Sequence, residues 1–76
     1  MKIVVTAPEK PLTVRFEPSG TEHKLAAKDH LVVEWGEPGE PGDFVGSIEY
    51  WSDEVVVSFG RVLMTAWDSA GDVLEH

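Results

Sequence analysis

Leu12-Thr13-Val14-Arg15-Phe16-Glu17-Pro18-Ser19-Gly20 is the stretch that decides the fold. Leu12, Val14 and Phe16 alternate with the polar Thr13 and Arg15. Neighbouring side chains on a strand point to opposite faces, so this alternation reads as a half-buried strand. Pro18-Ser19-Gly20 then supplies the residues of a turn. The same period recurs on both sides. Upstream, Ile3 and Val5 suggest a first strand, and Pro8 and Pro11 bracket the connection to Leu12. Downstream, His23 and Leu25 suggest a short strand before Leu31, Val33 and Trp35. Ile48 and Tyr50 suggest the next, followed by Val55, Val57 and Phe59, which alternate with Glu54, Val56 and Ser58. Leu63, Thr65 and Trp67 suggest another, and Val73 a ragged last one.

Turn signals at Lys28-Asp29, Ser52-Asp53, Gly60-Arg61 and Ser69-Ala70-Gly71-Asp72 separate these runs. Thr21 to Lys28 is long enough for a short helix but lacks an apolar stripe at helical spacing. The expectation is an all-β chain: a single small antiparallel barrel or two-sheet sandwich of six to eight short strands, formed by residues 1–76 as one domain. The expected core is Val5, Leu12, Val14, Phe16, Leu31, Val33, Ile48, Val55, Val57, Phe59 and Leu63. Trp35 and Trp67 fall on inward registers. Trp51 follows Tyr50, so one of that pair is expected on the exposed face.

Seventy-six residues bury roughly 60% of their unfolded surface, which leaves a thin margin of stability. There is no Cys, so disulfides and thiolate chemistry are excluded. Of the usual supports for a small chain, only a metal or a second subunit stays open. Met1 to Pro8 is too short an apolar stretch for a signal peptide. No window approaches the ~20 apolar residues of a membrane helix. A cytoplasmic domain is therefore expected. Leu74-Glu75-His76 matches the residue a common expression vector leaves before a histidine tag, so no role is assigned to His76.

Charge is unevenly spread. Residues 1–28 carry a net +2 and residues 29–76 a net −10, for a total of −8. Between Asp29 and Gly60 there are eight acids and no Lys or Arg. Nucleic acids and anionic membranes are poor ligands for such a chain, because affinity for phosphate comes from Lys and Arg. Basic proteins and cations fit it. The charged Glu34, Glu49 and Glu54 sit opposite the apolar residues of their strands, as on a solvated sheet face that resists edge pairing. Gly36-Glu37-Pro38-Gly39-Glu40-Pro41-Gly42-Asp43 repeats Glu-Pro-Gly, which suits two type II turns. Glu37, Glu40 and Asp43 there lack the spacing of an EF-hand.

Catalytic motifs are missing. No serine lies in Gly-x-Ser-x-Gly, and no phosphate-binding glycine run is present. The chain is expected to be no enzyme and to need no cofactor. His23 and His30 flank the Lys28-Asp29 turn; on a tight hairpin they would meet, and Glu22 or Glu34 would complete a metal site.

Glu17-Pro18-Ser19-Gly20-Thr21-Glu22 and Leu25-Ala26-Ala27-Lys28-Asp29 carry a resemblance. Together they resemble a group of small uncharacterised bacterial β proteins with a Glu-Pro-x-Gly-x-Glu…Leu-x-x-Gly-Asp pattern, whose second half recurs in cupin-like barrels. The resemblance covers about a quarter of the chain and implies β architecture, with no activity to carry over. Lys28 stands where Gly is usual; a positive φ there strains Lys by roughly 1 kcal/mol. The histidine-rich metal motif of cupin enzymes is absent.

These readings give a non-catalytic protein-interaction module whose acidic surface at Glu49, Trp51, Asp53 and Glu54 binds a basic protein partner. The alternative is a cupin-like small-ligand or metal-binding domain using His23 and His30. A third reading is a homo-oligomer joined through an exposed apolar face of Val4, Val32 and Val56.

Overall fold

The computed structural model describes residues 1–36, 46–60 and 63–76. The Glu-Pro-Gly repeat beyond Gly36, with Glu37, Glu40 and Asp43, lies outside the described residues, as does Arg61 of the Gly60-Arg61 turn. Eight strands follow in order: β1 (Lys2–Thr6), β2 (Leu12–Glu17), β3 (Thr21–Leu25), β4 (His30–Trp35), β5 (Gly46–Tyr50), β6 (Glu54–Phe59), β7 (Met64–Asp68) and β8 (Val73–Leu74). They form two four-stranded sheets, β1-β4-β7-β8 and β3-β2-β6-β5, which makes the fold a small two-sheet sandwich. All neighbours are antiparallel except β2 and β6, which run parallel in the middle of the second sheet. Pairing partners of that kind are not written in alternation alone.

The core lies between the sheets. Val14, Phe16, Leu31, Val33 and Val57 are fully buried, and Trp35 is nearly so. Ile48 and Phe59 pack at its margin, half-buried. Leu74 also packs there, and the His76 ring stands edge-on to Phe16 and Phe59. Gly46 opens β5 beneath the Trp35 indole; a Cβ added there would collide with that ring and with the Ser58 carbonyl.

Two expectations about register need correction. Leu63 is 89% exposed, and Trp67 points outward. β7 pairs with β4 so that Ala66 lies opposite Val33 and Met64 opposite Trp35. Met64 and Ala66 therefore take the inner face. Both parities of Leu63 to Trp67 carry apolar residues, so alternation could not choose between them. Val56 is the second correction: it is only 6% exposed, although it faces away from the core. β6 is central in its sheet, and Arg15 and Glu49 flank Val56 as its cross-strand partners. The long stem of Arg15 can cover a neighbour while its head stays in water.

The chain changes sheet between β1 and β2 and again between β3 and β4, and the two crossings are bonded side by side. The Ala7 N–H donates to the Asp29 carbonyl at 2.8 Å, and the Lys28 N–H donates to the Pro8 carbonyl at 2.9 Å. The Asp29 N–H closes a turn onto the Ala26 carbonyl at 3.0 Å. Lys28, its third residue, has φ of 67°, the left-handed region a type II turn demands. The strain expected of a non-glycine at this position is therefore present.

Candidate interaction surface

The β5–β6 hairpin ends in Trp51-Ser52-Asp53. The Trp51 N–H donates to the Glu54 carbonyl at 2.8 Å, closing the tip. The Asp53 carbonyl accepts from the Thr13 N–H at 3.3 Å, tying the tip to β2. Tyr50 is 75% exposed and Trp51 62%, so both rings face solvent where only one was expected. The reason is where the core stops. Tyr50 shares the inner parity of Ile48 and lies opposite Val55, but at the last rung of the ladder, where it forms a rim.

That rim borders a groove of about 330 Å³. One bank is β1 with Pro8, the other is Tyr50 to Ser52, and Leu12 and Val55 make the floor. Both flanking strands, β1 and β5, are edges of their sheets among the described residues. The groove thus combines an apolar floor, two aromatic rings and unpaired strand edges.

The acids divide into two groups. Glu49 and Asp53 are exposed and make no ion pair among the described residues. Glu54 is held by Arg15, whose Nη1 lies 2.9 Å from its Oε1. Arg15 Nε also lies 3.1 Å from Glu17 Oε1, close enough for charge attraction but not aligned as a hydrogen bond. With Thr13, Glu22 and Asp53 this pair lines a polar cleft of about 290 Å³. The two residues are 39 positions apart, so no local pattern pointed to the pairing. Of the four residues read from the sequence as a binding surface, Glu49, Trp51 and Asp53 present free groups and Glu54 is already engaged.

His23 and His30 do not meet. β3 pairs with β2, while β4 pairs with β1 and β7 in the other sheet, so Lys28-Asp29 is a crossing between sheets and not a hairpin. His23 Nε2 lies 2.6 Å from the Glu75 carbonyl, and its ring stands edge-on to Phe16. Glu34 lies opposite Lys2 across the β1–β4 ladder. No group of three His, Asp or Glu disposed to hold a metal occurs among the described residues. Asp29, beside His30, has its carboxyl below the ordinary value near 3.8, held there by the neighbouring Ser69 hydroxyl and by the His30 N–H at 2.8 Å.

The outer face of the other sheet is apolar along one line. Val4 lies opposite Val32, Val32 opposite Trp67, and Trp67 opposite Val73. These four make one apolar rung across the whole outer face of β1-β4-β7-β8. Val4 and Val73 are 60% and 66% exposed. Val56, expected to join Val4 and Val32, belongs to the opposite sheet. No helix among the described residues is long and apolar enough to cross a membrane. Compared with family models, with curated proteins and with solved structures, the chain matches none.

Proposed function

We propose that this chain is a non-catalytic interaction module, and that its β5–β6 tip and the adjoining groove take a basic segment of a partner protein. The observation that carries the reading is the pair of exposed rings, Tyr50 and Trp51, on a tip pinned by backbone bonds, with the free carboxylates of Glu49 and Asp53 on the outer face of the same hairpin. Aromatic faces attract Lys and Arg heads by cation–π contact, and nearby carboxylates add charge. Trp and Tyr are also the residues most often found as binding anchors. A tip already fixed by hydrogen bonds loses little entropy on binding.

The net charge of −8 favours encounter with a cationic partner, and the effect is screened by salt. The test is affinity capture on the immobilised chain at low and high salt, beside a Trp51→Ala variant. The reading expects one basic protein, retained at low salt and released at high salt, with affinity lowered about tenfold or more by the variant. Equal retention by the variant, or retention indifferent to salt, would contradict it.

A further inference from the structure

We infer that the outer face of the β1-β4-β7-β8 sheet is a self-association surface, covered in solution by a second copy of this chain. A sheet with one solvated face normally alternates apolar inside and polar outside. The β3-β2-β6-β5 sheet follows that rule, with Arg15, Glu17, Glu22, Glu49 and Glu54 on its outer face. The β1-β4-β7-β8 sheet breaks it through the rung of Val4, Val32, Trp67 and Val73.

Charge and pattern select the occupant. One adjoining rung places Lys2 opposite Glu34 and Glu34 opposite Thr65, so its two charges cancel, and the other places Thr6 opposite His30. Lys2 Nζ lies 5.9 Å from the centre of the Trp67 ring. In a chain of net charge −8, this is a face on which two copies can meet without opposing rows of carboxylates. The face is also self-complementary. A two-fold axis along the strands, between β4 and β7, sets Val32 over the partner's Trp67 and Val4 over the partner's Val73. Glu34 then meets the partner's Thr65 and not a second Glu34. Such aligned packing, near −30°, is the usual way sheets stack.

The face is small. Strands β1, β4 and β7, with about five residues each, and β8 with two, at about 4.8 Å spacing and about 3.3 Å per residue, span roughly 270 Å² in plan. An interface of this size falls below that of stable complexes, so association is expected to be weak, with dimer gathering toward the millimolar end of concentration.

Sedimentation of the wild-type chain from about 10 μM to about 1 mM, at low and high salt, tests the inference. The expected result is a monomer that shifts to dimer with concentration, more readily at high salt, because salt screens the repulsion between two acidic copies. Val73→Glu and Val32→Glu should each weaken the dimer about tenfold or more, since each buries a carboxylate against an apolar face. Val73 is at an exposed edge, so its variant is expected to keep the fold, checked by circular dichroism. Ser47→Glu, on the other sheet, should leave the dimer unchanged. A wild-type monomer throughout would overturn the inference, and so would a dimer indifferent to both valine variants. The salt response runs opposite to that expected of the β5–β6 tip, so the two proposals fail separately.

Discussion

The two sheets share one core but present unlike outer faces. On β3-β2-β6-β5, Arg15 lies between Glu17 and Glu54, and the one apolar residue among these charges, Val56, is covered. On β1-β4-β7-β8, Val4 and Val73 stand open at the two ends of an apolar rung. Period two dictates the inner faces of both sheets alike. It leaves the outer faces free, and the difference between them is where this chain carries information beyond its fold. A covered valine under an ion pair is part of the structure; an open valine on a neutral face is available to something else.

The largest effects are expected in the core that the two sheets share. Phe16 is fully buried between the sheets, so Phe16→Ala should cost about 3–5 kcal/mol and unfold most of the population of a domain this small. Phe59 is only half-buried, so Phe59→Ala should cost about 1–2 kcal/mol. Denaturant melts of both variants check the order. Equal losses would mean that the inner face of β6 is packed differently from this account.

The outer faces come next. Val56→Thr puts a hydroxyl in place of a methyl at a position only 6% exposed and should cost about 1–3 kcal/mol. Val73→Thr, on the open face, should change stability by no more than about 0.5 kcal/mol at low protein concentration. Thermal melts at micromolar concentration would show a drop in midpoint for Val56→Thr and almost none for Val73→Thr. A reversed order would erase the distinction between the two faces.

A smaller effect is expected at the corner that joins the sheets. Lys28→Gly relieves the left-handed φ and should raise stability by at most about 1 kcal/mol, whereas Lys28→Ala keeps the strain and should bring no gain. The smallest effect is at Asp29. Its carboxyl pKa is lowered in the fold, so its contribution is present above the ordinary value near 3.8 and fades as pH falls through the lower folded value. Asp29→Asn should therefore flatten the acid limb of the stability curve below about pH 4 and leave its shape at neutral pH unchanged. An unaltered acid limb would show that the Ser69 and His30 contacts do not bias that proton.

Much of this architecture was legible in the alternation. Leu12, Val14 and Phe16 lie inside as read, and so do Leu31, Val33 and Trp35, because one parity of each strand is apolar and the other mostly polar. β7 is ambiguous in sequence because Leu63 and Trp67 compete with Met64 and Ala66, and only the pairing with Val33 and Trp35 settles which pair turns inward. The burial of Val56 is not legible in sequence because it comes from a central place in the sheet, which depends on the parallel β2–β6 pair. The site divides in the same way. Exposed aromatic and acidic groups at Trp51 and Asp53 follow from a turn signal beside a strand end. The capture of Glu54 by Arg15 depends on strands far apart in the chain. The parting of His23 from His30 depends on a corner that looks, in sequence, like any tight turn.

Whether the β5–β6 tip receives a basic segment is decided by titrating the isotope-labelled chain with a pool of short peptides rich in Lys and Arg, followed by amide and indole resonances. Shifts are expected to be confined to Tyr50–Asp53, the Trp51 indole and the Val4–Pro8 bank of the groove, fading as salt is raised. Shifts gathered elsewhere, or spread evenly over the acidic surface without the Trp51 indole among them, would contradict it.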